Sequence, residues 1–248
     1  MSSLSRTRAE FEAAWHSFIR RRTAVFFTFF FPVILIVIFG ALVTTDPTGG
    51  GLFTEPSEYY LAGYLAVVVL FTPISRVGST VARHREGNRF EKLATTPLRR
   101  TEWLLAHTLV NAVLVGIASA ILIAVLWALT DATFTLSPLL VPFVLIGSAV
   151  FCGIGAILGR VADSQDGVIA AANTIALPML FLAETFVPPD LLPGWMGPVI
   201  DLLPLTYFSR GVREVTVAGG PWTTDLAILS GLALAFFLTG AYALPETD

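Results

Sequence analysis

A single cysteine, Cys152, is the whole thiol content of this sequence, which excludes an intramolecular disulfide and a cysteine-based zinc cluster. Charge is scarce too. Asp, Glu, Lys and Arg make up 13% of the 248 residues, against about 25% in an ordinary soluble domain. At this length much of a soluble fold's surface must still face water, so a larger core does not account for the deficit. Lipid as the surrounding solvent does. Lysine is reduced to Lys92 while arginine is plentiful, a bias of composition rather than a mechanistic signal. Also missing are a G-x-x-x-x-G-K-[ST] phosphate loop, H-E-x-x-H, G-x-S-x-G and paired carboxylates within apolar runs. No catalytic or metal-ligating residue is therefore assigned, and nothing points to a nucleic-acid partner.

What is present is apolar, 55% of the chain, in runs long enough to cross ~30 Å of hydrocarbon, which takes about 20 residues. Six runs qualify: Ala24 to Val43, Tyr59 to Val77, Trp103 to Leu129, Leu139 to Leu158, Val168 to Thr185 and Leu226 to Leu244. Pro32 is a tolerated kink in the first, and the third is long enough to tilt or to begin in the interface. The first run is longer than the apolar stretch of about 7–15 residues in a signal peptide, and no small-residue cleavage site follows it, so it is read as a retained span.

Thirteen of the fifteen basic residues fall on one side of these runs. Arg6, Arg8, Arg20, Arg21 and Arg22 precede the first span. Arg76, Arg83, Arg85, Arg89, Lys92, Arg99 and Arg100 flank the second-to-third loop, and Arg160 lies in the fourth-to-fifth. The opposite loops hold only Arg210 and Arg213, among acids that include Asp46, Glu55, Asp131 and Asp201. Basic loops stay inside, so both termini are expected in the cytoplasm of a plasma-membrane protein.

Residues 4–20 form an amphipathic pattern in which Leu4, Phe11, Trp15, Phe18 and Ile19 share a face. Such a helix lies in the headgroup region or docks a cytoplasmic partner, and the two are compatible. The expected fold is an all-α polytopic membrane protein of six transmembrane helices, with an N-terminal amphipathic interfacial helix and a re-entrant outer segment between spans five and six. It forms one domain over 1–248, divided into the amphipathic helix (1–23) and the six-span part (24–248).

Two connecting segments carry the functional signal. Val81 to Glu102 reads VARHREGNRFEKLATTPLRRTE. Phe90 and Leu93 sit on one face of a short helix that Thr96-Pro97 stops, because proline disfavours helical geometry in the residue before it. A short helix under a membrane domain can transmit force from a cytoplasmic motor; a solvated basic loop is the plainer alternative. Val187 to Trp222 is apolar yet contains Pro188, Pro189, Pro193, Pro198 and Pro204, so it is not one spanning helix. Short re-entrant or interfacial helices, buried in protein or facing water, satisfy its backbone. Few polar residues fall within the runs. His107 and Asn111 share a face of the third, and Asn173 and Glu184 on the fifth are candidate pathway groups. Gly155 and Gly159, with Gly153, permit close helix packing.

Glu86-Gly87, Glu91, Leu93 and Thr96-Pro97-Leu98 resemble the first cytoplasmic loop of type-2 ABC-exporter permeases. Phe186-Val187-Pro188-Pro189 through Pro193-Gly194-Trp195, then Pro204-Leu205-Thr206-Tyr207, is similar to that family's extracellular proline motif. The order of motifs, the span count and the loop lengths agree over essentially the whole chain. The family commonly has a small uncharged Ser-Gly pair where this sequence has Ala183-Glu184-Thr185, which leaves the role of Glu184 open.

The resemblance implies a permease subunit of an ATP-driven exporter of amphiphiles such as drugs, lipids or lipid-linked glycans. It implies two cytoplasmic ABC ATPases that hold the ATP and Mg²⁺, and a second identical or homologous permease that meets this one through spans one and five. It further implies coupling segments at Val81–Leu93 and Arg160–Gly167, with Glu86, Gly87, Phe90, Glu91, Leu93, Thr96 and Pro97 as coupling residues. In that arrangement Phe90 and Leu93 contact the ATPase, while Pro188, Pro193, Pro204 and Tyr207 belong to an outer gate. A channel or ion-coupled carrier without ATP, or an intramembrane enzyme, are the alternatives. The matched broken helices and buried charges of such carriers and the convergent catalytic groups of such enzymes are not evident.

Overall fold

The structure, a computed structural model, describes residues 2–38, 55–130 and 133–245. Among these the chain is helical, without strands. It begins with α1 (Ser3–Ile19), whose N-cap Ser2 accepts a hydrogen bond from the Ser5 amide at 3.3 Å. Then come α2 (Arg22–Ile36), α3 (Leu61–Glu86) after a 3₁₀ turn, the short α4 (Arg89–Ala94), α5 (Arg100–Leu129), α6 (Leu140–Val161) and α7 (Gln165–Leu182). Two 3₁₀ turns, α8 (Gly197–Ile200) and α9 (Pro204–Arg213) lead through a π-helical turn to α10 (Trp222–Ala243).

Among the described residues, five helices are long and apolar enough to cross a membrane: α3 with its preceding turn, α5, α6, α7 and α10. The described part of α2 is apolar but shorter. Residues 39–43 of the expected first span, with Asp46 and Asp131 of the outer loops, lie outside the described residues. Among described spans apolar side chains cover the outside of the bundle as well as filling its core. On α5, Leu105, Leu109, Val113, Ile117 and Ile121 recur every fourth position and are all exposed, a lipid-facing stripe inclined to the axis by about 26°.

The centre of the bundle is α3, which packs against α2, α5, α6, α7 and α9. Every residue from Leu61 to Leu70 is buried, and so are Ile74, Val77 and Val81. Its contact with α6 is made close by glycine. A Cβ built at Gly155 would stand 2.7 Å from the Ile74 carbonyl oxygen, and one at Gly159 2.5 Å from that of Gly78. The α6–α10 crossing repeats the device, with a Cβ at Gly240 only 2.7 Å from the Gly153 carbonyl oxygen. Small residues four apart let helix backbones meet where lipid supplies no hydrophobic drive for association.

Two boundaries and one buried face differ from those read in the sequence. The expected helix over Val81–Leu93 is two helices: α3 continues to Glu86, and the chain turns at Gly87 and Asn88 before α4. Asn88 adopts the left-handed conformation (φ 49°), which asparagine tolerates better than most residues. The fifth span ends at Leu182 rather than Thr185, because Glu184 is left-handed (φ 54°) and breaks the helix. On α1 the buried positions are Thr7, Ala14 and Phe18, spaced by seven and four, whereas Leu4 and Ile19 are exposed. The apolar stripe is wider than the contact it makes, and its flanks stay free for the headgroup region.

Candidate functional site

At the arginine-rich end, the two segments singled out as coupling elements are bonded to each other. Arg85, in the last turn of α3, donates through Nη1 to the carbonyl oxygens of Gly159 (3.1 Å), Arg160 (2.8 Å) and Ala162 (2.9 Å). A cation there satisfies the orphan carbonyls of α6 and opposes the negative end of its dipole. Glu86 accepts from the Gln165 amide at 3.2 Å, and Ser164 Oγ accepts from the Gly167 amide at 3.1 Å, so the first turn of α7 is capped from two directions. The end of α3 and residues 160–167 thus form one platform.

The short α4 hangs from this platform. Phe90 and Leu93 are half-buried and turn inward, packing with Val77, Val81, Trp103 and Leu244. The Phe90 ring lies 5.7 Å from that of Trp103 and 5.5 Å from that of His84, both edge-on. Direct contact with a partner through Phe90 and Leu93 is the expectation; within this chain both side chains pack on the core and hold α4 against the bundle. Arg89, Glu91 and Lys92 form its exposed side, and Gly87, Thr96 and Pro97 are exposed at its two ends. Leu93 is tied to the following turn, its carbonyl oxygen accepting from Thr96 Oγ1 at 2.5 Å.

Sequence reasoning missed the docking of α1. Arg6 forms a two-pronged ion pair with Glu102 (2.9 and 2.5 Å), and Glu10, one turn on, lies 3.3 Å from His107. Glu102 also accepts from the Arg99 amide at 3.0 Å, closing a capping box on α5. The Glu102 carboxylate holds the Arg6 guanidinium above its ordinary pKa. An acid in the first turn after Pro97 was the available signal for the cap, but its partner lies 96 positions away.

At the opposite, proline-rich end, Glu184 is buried with 4% of its surface exposed. Its carboxylate takes two bonds from Arg210 (2.9 and 2.5 Å), and its carbonyl oxygen takes one from Arg213 Nη2 at 2.6 Å. Arg210 reaches Asp201 at 3.0 Å as well, and Arg213 lies over the Tyr59 ring at 3.9 Å. Hydrogen bonding to Glu184, aided by Asp201, raises the Arg210 pKa, while burial lowers that of Arg213. The two arginines that break the one-sided charge pattern are thus both engaged by oxygen ligands.

Around this cluster Pro204 is the first residue of α9, where a missing N–H costs nothing. Thr206 donates to the Ile200 carbonyl at 2.7 Å and Tyr207 to that of Asp201 at 2.6 Å, lashing α9 to α8. Pro188 is buried and Pro193 exposed. Asn173 belongs to neither cluster; it is exposed on α7 beside Thr174 and Ile175.

Six membrane-type apolar segments in the sequence, five of them seen as full-length helices among the described residues, define a multi-pass membrane protein. The ABC-2 type transporter family matches residues 6–217, and the chain belongs to that family, whose permeases work with an ABC ATPase subunit. It is 28% identical over 201 residues to the daunorubicin resistance ABC transporter permease protein DrrB1 of Streptomyces coeruleorubidus, covering 75% of this chain and 69% of that one. It is also 23% identical over 182 residues to the linearmycin resistance permease protein LnrN of Bacillus subtilis (strain 168), covering 71% of this chain and 45% of that one.

Proposed function

We propose that this chain is the membrane half of an ATP-driven exporter that moves an amphiphilic, drug-like substrate out of the cytoplasm or its facing leaflet. The observation that carries the coupling half of this reading is the bonded platform. Arg85 and Glu86 fasten the end of α3 to residues 160–167, so a push on α4 or on that loop is delivered to three spans together. Two separate ATPase subunits would supply ATP, Mg²⁺ and the force. The names of the two relatives, each a resistance permease, support a drug-like cargo and outward transport.

In this reading the chain crosses the membrane six times, with α2 belonging to the first span, and the arginine-rich end faces the cytoplasm. The short helices after α7 close the outer mouth as a gate, with Pro188, Pro193, Pro204 and Tyr207 shaping it. A second permease, identical or homologous, covers the exposed apolar faces of α2 (Phe26, Phe27, Phe30) and α7 (Ile175, Leu177, Phe181), bringing Asn173 to the pathway between the halves.

Orientation is tested with cysteines in a Cys152→Ser background. Thr133→Cys should react with an impermeant thiol reagent added to intact cells, and Asn88→Cys only after the membrane is opened. Labelling of Asn88→Cys from outside would reverse the reading.

Coupling is tested on both sides of α4. Glu91→Arg changes only the exposed side and should weaken pull-down of the ATPase while the permease remains folded. Phe90→Ala loosens α4 from Trp103 and should lower transport more than ATPase association. Loss of an apolar anchor of this kind commonly costs on the order of 1–3 kcal/mol. Gly87→Pro should act similarly, because the Gly87 amide donates to the Arg83 carbonyl at 3.0 Å. Wild-type transport and wild-type ATPase association in all three variants would sink the coupling role.

A further inference from the structure

We infer that the arginine-rich end carries a binding site for the phosphodiester headgroup of an anionic phospholipid, in a cavity enclosed by α1, α3 and α4. The cavity has a volume of 590 Å³, within the ~300–1,000 Å³ range of small-ligand sites. Its cationic lining comes from Arg21, Arg76, Arg83, Arg89 and Lys92, and its one carboxylate is Glu10. Glu10 is engaged with His107 at 3.3 Å, and none of the five cations enters an ion pair among the described residues. Like charges gathered at the edge of a membrane repel and are costly to desolvate; an anion between them removes both costs.

The donors are graded in depth. Arg21, Arg89 and Lys92 are exposed at the mouth, and Arg76 and Arg83 are half-buried within. Arg76 Nη1 and Arg83 Nε are buried atoms without a hydrogen-bond partner. Phe18 stacks on the Arg76 guanidinium, 4.4 Å from carbon to ring centroid. Stacking uses the face of the guanidinium and leaves its N–H edge for a planar or tetrahedral oxyanion.

The rest of the wall selects an amphiphile over a small ion. Ala14, Phe18 and Ala24 line it, together with Ile169, which is also exposed on the outer surface of α7. A headgroup held by the arginines can therefore leave its chains along an apolar path into the bilayer. Arg89 and Lys92 come from α4, so the lipid bridges the coupling helix to the spans. The inference rests on placement in a membrane and not on the direction of transport or the identity of the cargo.

The test uses the full chain purified in mild detergent, with lipid binding followed by native mass spectrometry and by thermal shift. Phosphatidylglycerol should be retained and should raise the melting temperature, and phosphatidylcholine should do neither. The double variant Arg89→Gln/Lys92→Gln changes exposed residues and should fold normally, yet bind phosphatidylglycerol at least about tenfold more weakly, given the attraction contributed by each basic residue. Arg83→Gln should do the same from inside the cavity. Arg99→Gln and Arg160→Gln remove charge at the same end but outside the cavity, and should bind like wild type. Equal weakening in those controls would reduce the effect to general surface charge and overturn the site. Equal retention of phosphatidylcholine would overturn it too. Displacement of phosphatidylglycerol by millimolar inorganic phosphate would reassign the cavity to a free anion.

Discussion

Replacing Gly159 by leucine is expected to lower the yield of folded protein several-fold, while the same replacement at Gly116 or Gly231 leaves the yield close to wild type. The Cβ at Gly159 would stand 2.5 Å from the Gly78 carbonyl oxygen and 2.6 Å from Val81 Cβ, whereas those at Gly116 and Gly231 meet nothing within 4 Å. Overpacking a core with a flexible neighbour costs about 1–3 kcal/mol. Here the obstacle is the backbone of α3, which cannot rotate aside, so the cost should reach about 3 kcal/mol or more. That is a large part of the roughly 5–15 kcal/mol that holds a domain together. Size-exclusion profiles of the three variants in one detergent decide the matter. A monodisperse Gly159→Leu protein with the wild-type melting temperature would show that the α3–α6 crossing is looser than described.

Glu184→Ala is the second large effect. Removing one partner of a buried ion pair leaves the other uncompensated, at about 3–5 kcal/mol. The Arg210 side chain keeps 35% of its surface exposed and has Asp201 as a second partner, so about 2–3 kcal/mol is expected. The loss should appear as a lower melting temperature and as faster proteolysis of residues 187–221. A double-mutant cycle of Glu184→Gln with Arg210→Gln should give a coupling energy of at least about 1 kcal/mol. Strict additivity would mean that the two side chains do not depend on each other, and Glu184 would return to being a candidate pathway group.

Composition and hydropathy made the spans legible, because lipid imposes one rule on every crossing segment and the rule is written locally. The break at Gly87 and Asn88 is also local, yet the coupling segment read over Val81–Leu93 does not place it. Residues 83–89 carry no apolar side chain, so no periodicity shows where one helix ends and the next begins. Partnerships over distance were not legible. Glu184 looked like an isolated charge in a span because its partners lie 26 and 29 positions further on. The Arg6–Glu102 pair joins residues 96 positions apart. Close packing at Gly153, Gly155 and Gly159 could be suspected from spacing, but spacing names no partner helix; Gly78 and Gly240 appear only in three dimensions. Phe90 and Leu93 were recognised as one face of a short helix, but a pattern on one helix does not say whether its apolar face meets its own protein or another.

The rod-like character of α3 has a mechanical consequence. Its 26 residues make a strut of about 39 Å at 1.5 Å per residue, anchored at both ends. One end is bonded to the loop platform through Arg85 and Glu86. The other begins beside Tyr59, under the Arg213 guanidinium. Near its middle sits Pro73, where a helix lacks one hydrogen bond and bends more readily. A flexure of 10° there swings either end by about 3 Å, enough to exchange one set of hydrogen-bond partners for another. In the proposed exporter α3 would serve as a lever arm, carrying a load from the arginine-rich end toward the Glu184–Arg210–Arg213 cluster.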